Sequence, residues 1–156
     1  MRKVLITGGS RGIGKAIAAR FDKAGYEVHC PTRAEMDLSD PDSIENYIRS
    51  CGDTVFDVIV NNAGINDING IEIITDSEID EMIQINLKAP IRLLRGFAGR
   101  MKENRYGRIV NIGSIWAVVS KGADAYTVPP RTGYTELRTR LRLNLQAIMF
   151  LFIDFY

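Results

Sequence analysis

Residues 7–14 read Thr7-Gly8-Gly9-Ser10-Arg11-Gly12-Ile13-Gly14, a composition suited to holding phosphate. A short apolar run rich in β-branched residues, Lys3 to Thr7, precedes it and reads as a buried strand. A helical pattern begins at Gly12, where Ile13, Ile17, Phe21 and Ala24 recur at helical spacing until Gly25 stops them. Between a strand and a helix, such glycines permit a tight turn, let backbone approach a pyrophosphate and bring the helix against the strand. The helix N-terminus adds free N–H groups and the positive end of its dipole. Gly8, Ser10, Arg11, Gly12, Ile13 and Gly14 are therefore the expected dinucleotide-binding residues.

Charge then selects the dinucleotide. A site for NAD usually carries a carboxylate at the end of the second strand, to accept hydrogen bonds from the ribose 2′-hydroxyl. That strand, Tyr26 to Cys30, is followed by Pro31-Thr32-Arg33 with no carboxylate, and Arg11 lies in the glycine loop. Two guanidinium groups can clamp a 2′-phosphate through charge-assisted hydrogen bonds. The expected cofactor is NADP(H).

Three further patterns follow in order: Asn61-Asn62-Ala63-Gly64, Asn86 within Ile85-Asn86-Leu87, and Ser114 within Asn111-Ile112-Gly113-Ser114. With the glycine loop, they resemble the short-chain dehydrogenase/reductase family, and within it the 3-oxoacyl-carrier-protein reductase type. The resemblance runs from residue 3 to about 121. It implies that Asp37 and Leu38 contact the adenine, that Asn62, Ala63 and Gly64 line the cofactor, and that Ser114 and Asn86 are catalytic. It also implies a ketone or secondary-alcohol substrate, small or bound to a carrier protein, and homo-oligomers built through long helices. A sugar or steroid-type alcohol is the alternative substrate class. Hydride transfer to a ketone leaves negative charge on the carbonyl oxygen, so the site needs a donor to hold it and an acid to protonate it. In the family, a serine holds the oxygen, and a tyrosine protonates it beside a lysine four residues later.

The elements that must position these residues alternate. A strand and helix at the start are followed by the strand Tyr26 to Cys30, then a helix with Asp40 as N-cap and Pro41 at its first position, running to about Ser50. A strand at Phe56 to Val60 leads to a long helical pattern from about Asp76 to Met101, with Pro90 as the expected kink, and then to a strand at Gly107 to Ile112. Strands alternating with helices of this length imply a doubly wound α/β domain with a parallel sheet, Rossmann-type. Residues 1–121 are expected to be the N-terminal part of a single dinucleotide-binding catalytic domain.

The remainder, 122–156, departs from the family. Tyr126 stands twelve residues after Ser114, one short of the family's spacing, and Pro130 occupies the lysine position. No lysine follows Lys121, and Arg131 is no substitute, because arginine keeps its proton at working pH. Reading the codons permitted for residues 126–131 in a shifted frame can spell Tyr-Ser-Ala-Ser-Lys, which restores both residues and the spacing. We therefore expect an out-of-frame tail on an incomplete sheet, with an unpaired edge, poor folding and negligible turnover. A non-catalytic nucleotide-binding or interaction fragment is the alternative function.

Composition narrows the rest. The 156 residues suit one domain, and a net charge of +1 gives no whole-chain argument for nucleic acid or an anionic membrane. Cys30 and Cys51 lack metal-ligand spacing and favour a reducing compartment; with no signal-like N-terminus, the expected location is the cytoplasm, with no metal. His29, the lone histidine, is expected to be structural or incidental.

Overall fold

The computed structural model describes residues 1–66 and 72–113, and the backbone of 150–155. Its strands are β1 (Lys3–Ile6), β2 (Glu27–His29), β3 (Val58–Asn61), β4 (Gly107–Ile112) and β5 (Phe150–Phe155), in the sheet order β2-β1-β3-β4-β5. The helices are α1 (Gly12–Lys23), α2 (Pro41–Ser50), α3 (Asp76–Ile83) and α4 (Ala89–Glu103), with a π-helical turn, Gln84–Lys88, joining the last two. β1 to β4 are mutually parallel, as the alternation of elements requires.

Strand alternation divides the core in two. Val4, Ile6, Val58, Val60 and Val110 point to one face, where Ile17, Ala18 and Phe21 of α1 cover them. Leu5, Ile59 and Ile109 point to the other, against Ile44 and Ile48 of α2 and Leu93, Phe97 and Met101 of α4. Helices on both faces make the sheet doubly wound. Strands are added outward on one side of β1 (β2) and then on the other (β3, β4), so the crevice of this fold opens at the C-terminal ends of β1 and β3.

α2 starts where expected, with the Asp40 side chain accepting from the Asp42 N–H. Ile13 is 62% exposed at the start of α1, outside the core that Ile17 and Phe21 of the same helix join. The expected kink also moves. The helical path widens one turn before Pro90, which itself sits near the start of α4. Proline has no N–H for the carbonyl four residues earlier, that of Asn86, and its ring crowds that carbonyl. A π turn makes room there.

β5 changes the expected architecture more. It runs antiparallel to β4, pairing Ile109 with Ile153 and Arg108 with Asp154, so the edge expected to be bare is occupied. The reason is local: Phe-Leu-Phe-Ile-Asp-Phe has high β-propensity, and β4's outer N–H and C=O groups need partners.

Candidate nucleotide-binding crevice

Thr7, just after β1, ties the two sides of the crevice together. Its backbone N–H donates to the Val60 carbonyl at 3.0 Å, and its buried hydroxyl oxygen accepts from the N–H groups of Asn62 and Ala63, both at 3.0 Å. The Asn62 side-chain amide answers by donating to the carbonyls of Thr7 at 3.0 Å and Gly8 at 3.2 Å. Two loops distant in sequence are thus locked edge to edge.

Glycine is required at two points of this lock. Gly8 has φ +67°, and a Cβ there would lie 3.0 Å from both Ala63 Cα and Asn62 Nδ2. A Cβ on Gly14 would overlap the Gly8 carbonyl oxygen and crowd Asn62 Nδ2. α1 also begins differently from its neighbours. Its N-cap, Arg11, supplies no side-chain cap, and its first turn holds no acidic residue. α2 is capped by Asp40, and α3 by a reciprocal pair between Thr75 and Glu78. α4 also has no side-chain cap, but it continues directly from the π turn; the N-terminus of α1 meets the glycine loop, where an anion could satisfy its free N–H groups.

Beyond β2, Arg33 and Asp37 form an ion pair, with Arg33 Nε donating to Asp37 Oδ2 at 2.9 Å. The other Asp37 oxygen accepts from the Ser39 hydroxyl at 2.6 Å and the Ser39 N–H at 2.9 Å. The Ser39 hydroxyl and then the Arg33 guanidinium hold the Asp37 carboxyl down at about 2. Leu38 offers its carbonyl to buried Gln84 Nε2 at 3.0 Å.

On the opposite side, buried Asn86 is fully engaged with one residue. Its Oδ1 accepts from the Ile65 N–H at 2.9 Å, and its Nδ2 donates to the Ile65 carbonyl at 2.8 Å. The π turn therefore presents Gln84 to the loop after β2 and Asn86 to the loop after Gly64. Between β3 and β4, Asn61 Nδ2 donates to Asn111 Oδ1 at 2.7 Å, while Asn61 Oδ1 and Asn111 Nδ2 are buried without a partner among the described residues.

The structure thus gathers Gly8, Gly14, Asn62 and Ala63, and it links Asn86 to the loop beyond Gly64. Ser114 and Tyr126 lie outside the described residues. Thr7, Gln84 and the Asn61–Asn111 pair were missed as site residues. Their signal was available: each is a polar residue in or beside an apolar stretch, where burial without a hydrogen bond is costly. Among the described residues, no three His, Cys, Asp or Glu side chains gather as for a metal ion, and no helix is long and apolar enough to cross a membrane.

The family model for short chain dehydrogenase matches residues 31–128. The chain is 30% identical to the 3-oxoacyl-acyl-carrier-protein reductase FabG of Escherichia coli over 83% of its own length, spanning 61% of that relative. It is 31% identical to the corresponding reductase MabA of Mycobacterium avium, over 85% of this chain and 56% of the relative. Among solved structures, a metagenomic short-chain oxidoreductase in complex with NADP matches at TM-score 0.78 and 31% identity, covering 90% of this chain and 75% of that one. A 4-hydroxyisoleucine dehydrogenase complexed with NADH matches at TM-score 0.82 and 25% identity, covering 92% and 69%.

Proposed function

The chain belongs to the short-chain dehydrogenase family, and from that membership we propose that it binds NADP(H) in the β1–β3 crevice and derives from an oxidoreductase that interconverts a ketone and a secondary alcohol. The lock of Thr7, Gly8, Gly14 and Asn62 carries this reading, because it brings bare backbone and the uncapped start of α1 to one place. Exposed Ile13 offers an apolar contact beside it. Arg33, with Arg11 in the loop, selects the 2′-phosphate, and Asp37 and Leu38 border the adenine.

When bound, the nicotinamide supplies or accepts the hydride. The residues around it do the rest of the work. Asn86 fixes the Ile65 backbone and with it the loop after Gly64. The Ser114 hydroxyl holds the substrate oxygen as charge develops, and Tyr126 stands nearest in sequence to the acid's place. Pro130 stands where the family's motif has the lysine that assists the acid, so in this chain nucleotide binding survives and turnover does not. The enzyme from which it derives acts on a carbonyl substrate, a 3-oxoacyl group bound to a carrier protein or a small molecule, with a sugar or steroid-type alcohol as the alternative.

Fluorescence titration of the chain with NADPH and NADH tests the cofactor reading. NADPH should bind more tightly, by about tenfold, the worth of one charge-assisted contact. Equal affinities, or a preference for NADH, overturn it.

A further inference from the structure

Arg33 is held, rather than free, and the manner of holding has a consequence for nucleotide choice. Residues 32–36 form a tight turn in which Glu35 Oε2 accepts from the Thr32 N–H at 2.7 Å and the Thr32 hydroxyl at 2.9 Å. The Met36 N–H closes the turn on the Thr32 carbonyl at 2.9 Å, and the Met36 side chain is buried in the core beneath. Asp37 follows at once. Its N–H donates to the Ser43 hydroxyl at 2.9 Å, and both of its carboxylate oxygens are engaged, one by Ser39 and one by Arg33. The aspartate is a fixed post, 30% exposed, whereas the arginine side chain bound to it is 77% exposed.

The atom that Asp37 grips decides what remains. A guanidinium has five donor hydrogens, and its Nε carries one. With Nε engaged, the planar edge formed by the two terminal nitrogens keeps its donors, and that edge matches a phosphate in bidentate fashion. We infer that Asp37 is a positioning residue for nucleotide discrimination: it holds Arg33 by Nε so that the terminal edge of the guanidinium meets a ribose 2′-phosphate. This rests on the assignment of Arg33 to the 2′-phosphate. It gives Asp37 a role through Arg33 that is separate from any adenine contact.

Charge argues in the opposite direction, which makes the inference testable. Asp37 is bonded to Arg33, and Glu81 on α3 acts on it from further away. If Asp37 mattered only as a negative charge, removing it would improve binding of a phosphate. If it matters as a post, removing it weakens that binding.

The probes are 2′,5′-ADP and 5′-AMP, which differ at the 2′-position and need no nicotinamide pocket. Their affinities for the whole chain are measured by calorimetry, with a thermal melt of each variant. For the wild type, 2′,5′-ADP should bind more tightly. R33A should abolish that preference, and D37N should cut it about tenfold, the worth of one charge-assisted bond. The double variant should lose no more than R33A alone. S39A, which removes one tie on Asp37, should cause a smaller loss and serves if D37N does not fold. A D37N or S39A preference that is unchanged or raised overturns the inference, as does additivity in the double variant. A wild type without preference overturns the assignment of Arg33 itself, and the inference falls with it.

Discussion

The seam between β1 and β3 and the seam between β4 and β5 are built from different materials. At the first, parallel backbone pairing is reinforced by side chains: Thr7 and Gly8 accept four hydrogen bonds from Asn62 and Ala63 across the loops that follow the strands. Glycines at 8 and 14 allow those loops to touch. At the second, an antiparallel ladder joins β4 to a strand from a segment whose composition departs from that of the rest of the chain. The first seam can only be made by particular residues. The second asks mainly for β-propensity, so many unrelated sequences could supply it. Occupation of a sheet edge is thus weak evidence that a segment belongs to the chemistry of the fold, whereas a side-chain lock across a crevice is strong evidence.

The comparison breaks most visibly in an activity assay. Adding one base near codons 116–126, so that the shifted frame is read, should restore Tyr-x-x-x-Lys and supply a later strand for the edge now held by β5. NADPH-dependent reduction of a 3-oxoacyl thioester, followed by absorbance, should then rise at least about 100-fold over the present chain, the lower end of what a positioned acid contributes. Equal activity in the present chain would show that the tail is itself a working part of the site. The first seam is the next target. G14A places a methyl group against the Gly8 carbonyl, so it should cost about 1–3 kcal/mol in urea unfolding and abolish 2′,5′-ADP binding. Retained binding would separate the lock from the nucleotide. At the second seam, I153P interrupts the ladder opposite Ile109 and should lower stability by about 1–3 kcal/mol while leaving 2′,5′-ADP affinity unchanged. Lost affinity would show that the two seams are coupled.

The sequence was legible where one residue type has one physical reason to be present. Asp40-Pro41 marked the start of α2, and the glycine loop marked the crevice, because each satisfies a local backbone need. It was illegible where a feature depends on a distant partner. Pro90 announced a disturbed helix, but the widening that relieves it fell one turn earlier, where Gln84 finds Leu38 and Asn86 finds Ile65. The pairing of Arg33 with Asp37 was illegible too, because the sequence points Arg33 to a 2′-phosphate and Asp37 separately to the adenine. The two lie four residues apart, and only the turn at 32–36 brings them together. The direction of β5 had no signal in the sequence at all, since an apolar strand can pair either way.

The smallest expected effect tests that missed pair from the side of stability. Asp37 titrates at about 2 in the fold, below the usual carboxylate value of about 4, because the Ser39 hydroxyl and the Arg33 guanidinium favour its charged form. A depressed value means that its stabilising contribution is fully present above about pH 4 and is lost as pH falls through about 2. D37N should therefore unfold less steeply with acid over that interval than the wild type, starting from a lower stability at neutral pH. Glu35, held down by the Thr32 N–H and hydroxyl, and Glu27, held down by His29 and Lys3, titrate in the same direction, so the acid limb should shrink without vanishing. The useful reading is the difference between D37N and R33A. Ser39 is the larger cause of the shift, so R33A should keep most of the acid limb while losing its preference for 2′,5′-ADP. An R33A limb as flat as that of D37N would mean that the guanidinium holds the carboxylate, rather than the carboxylate the guanidinium.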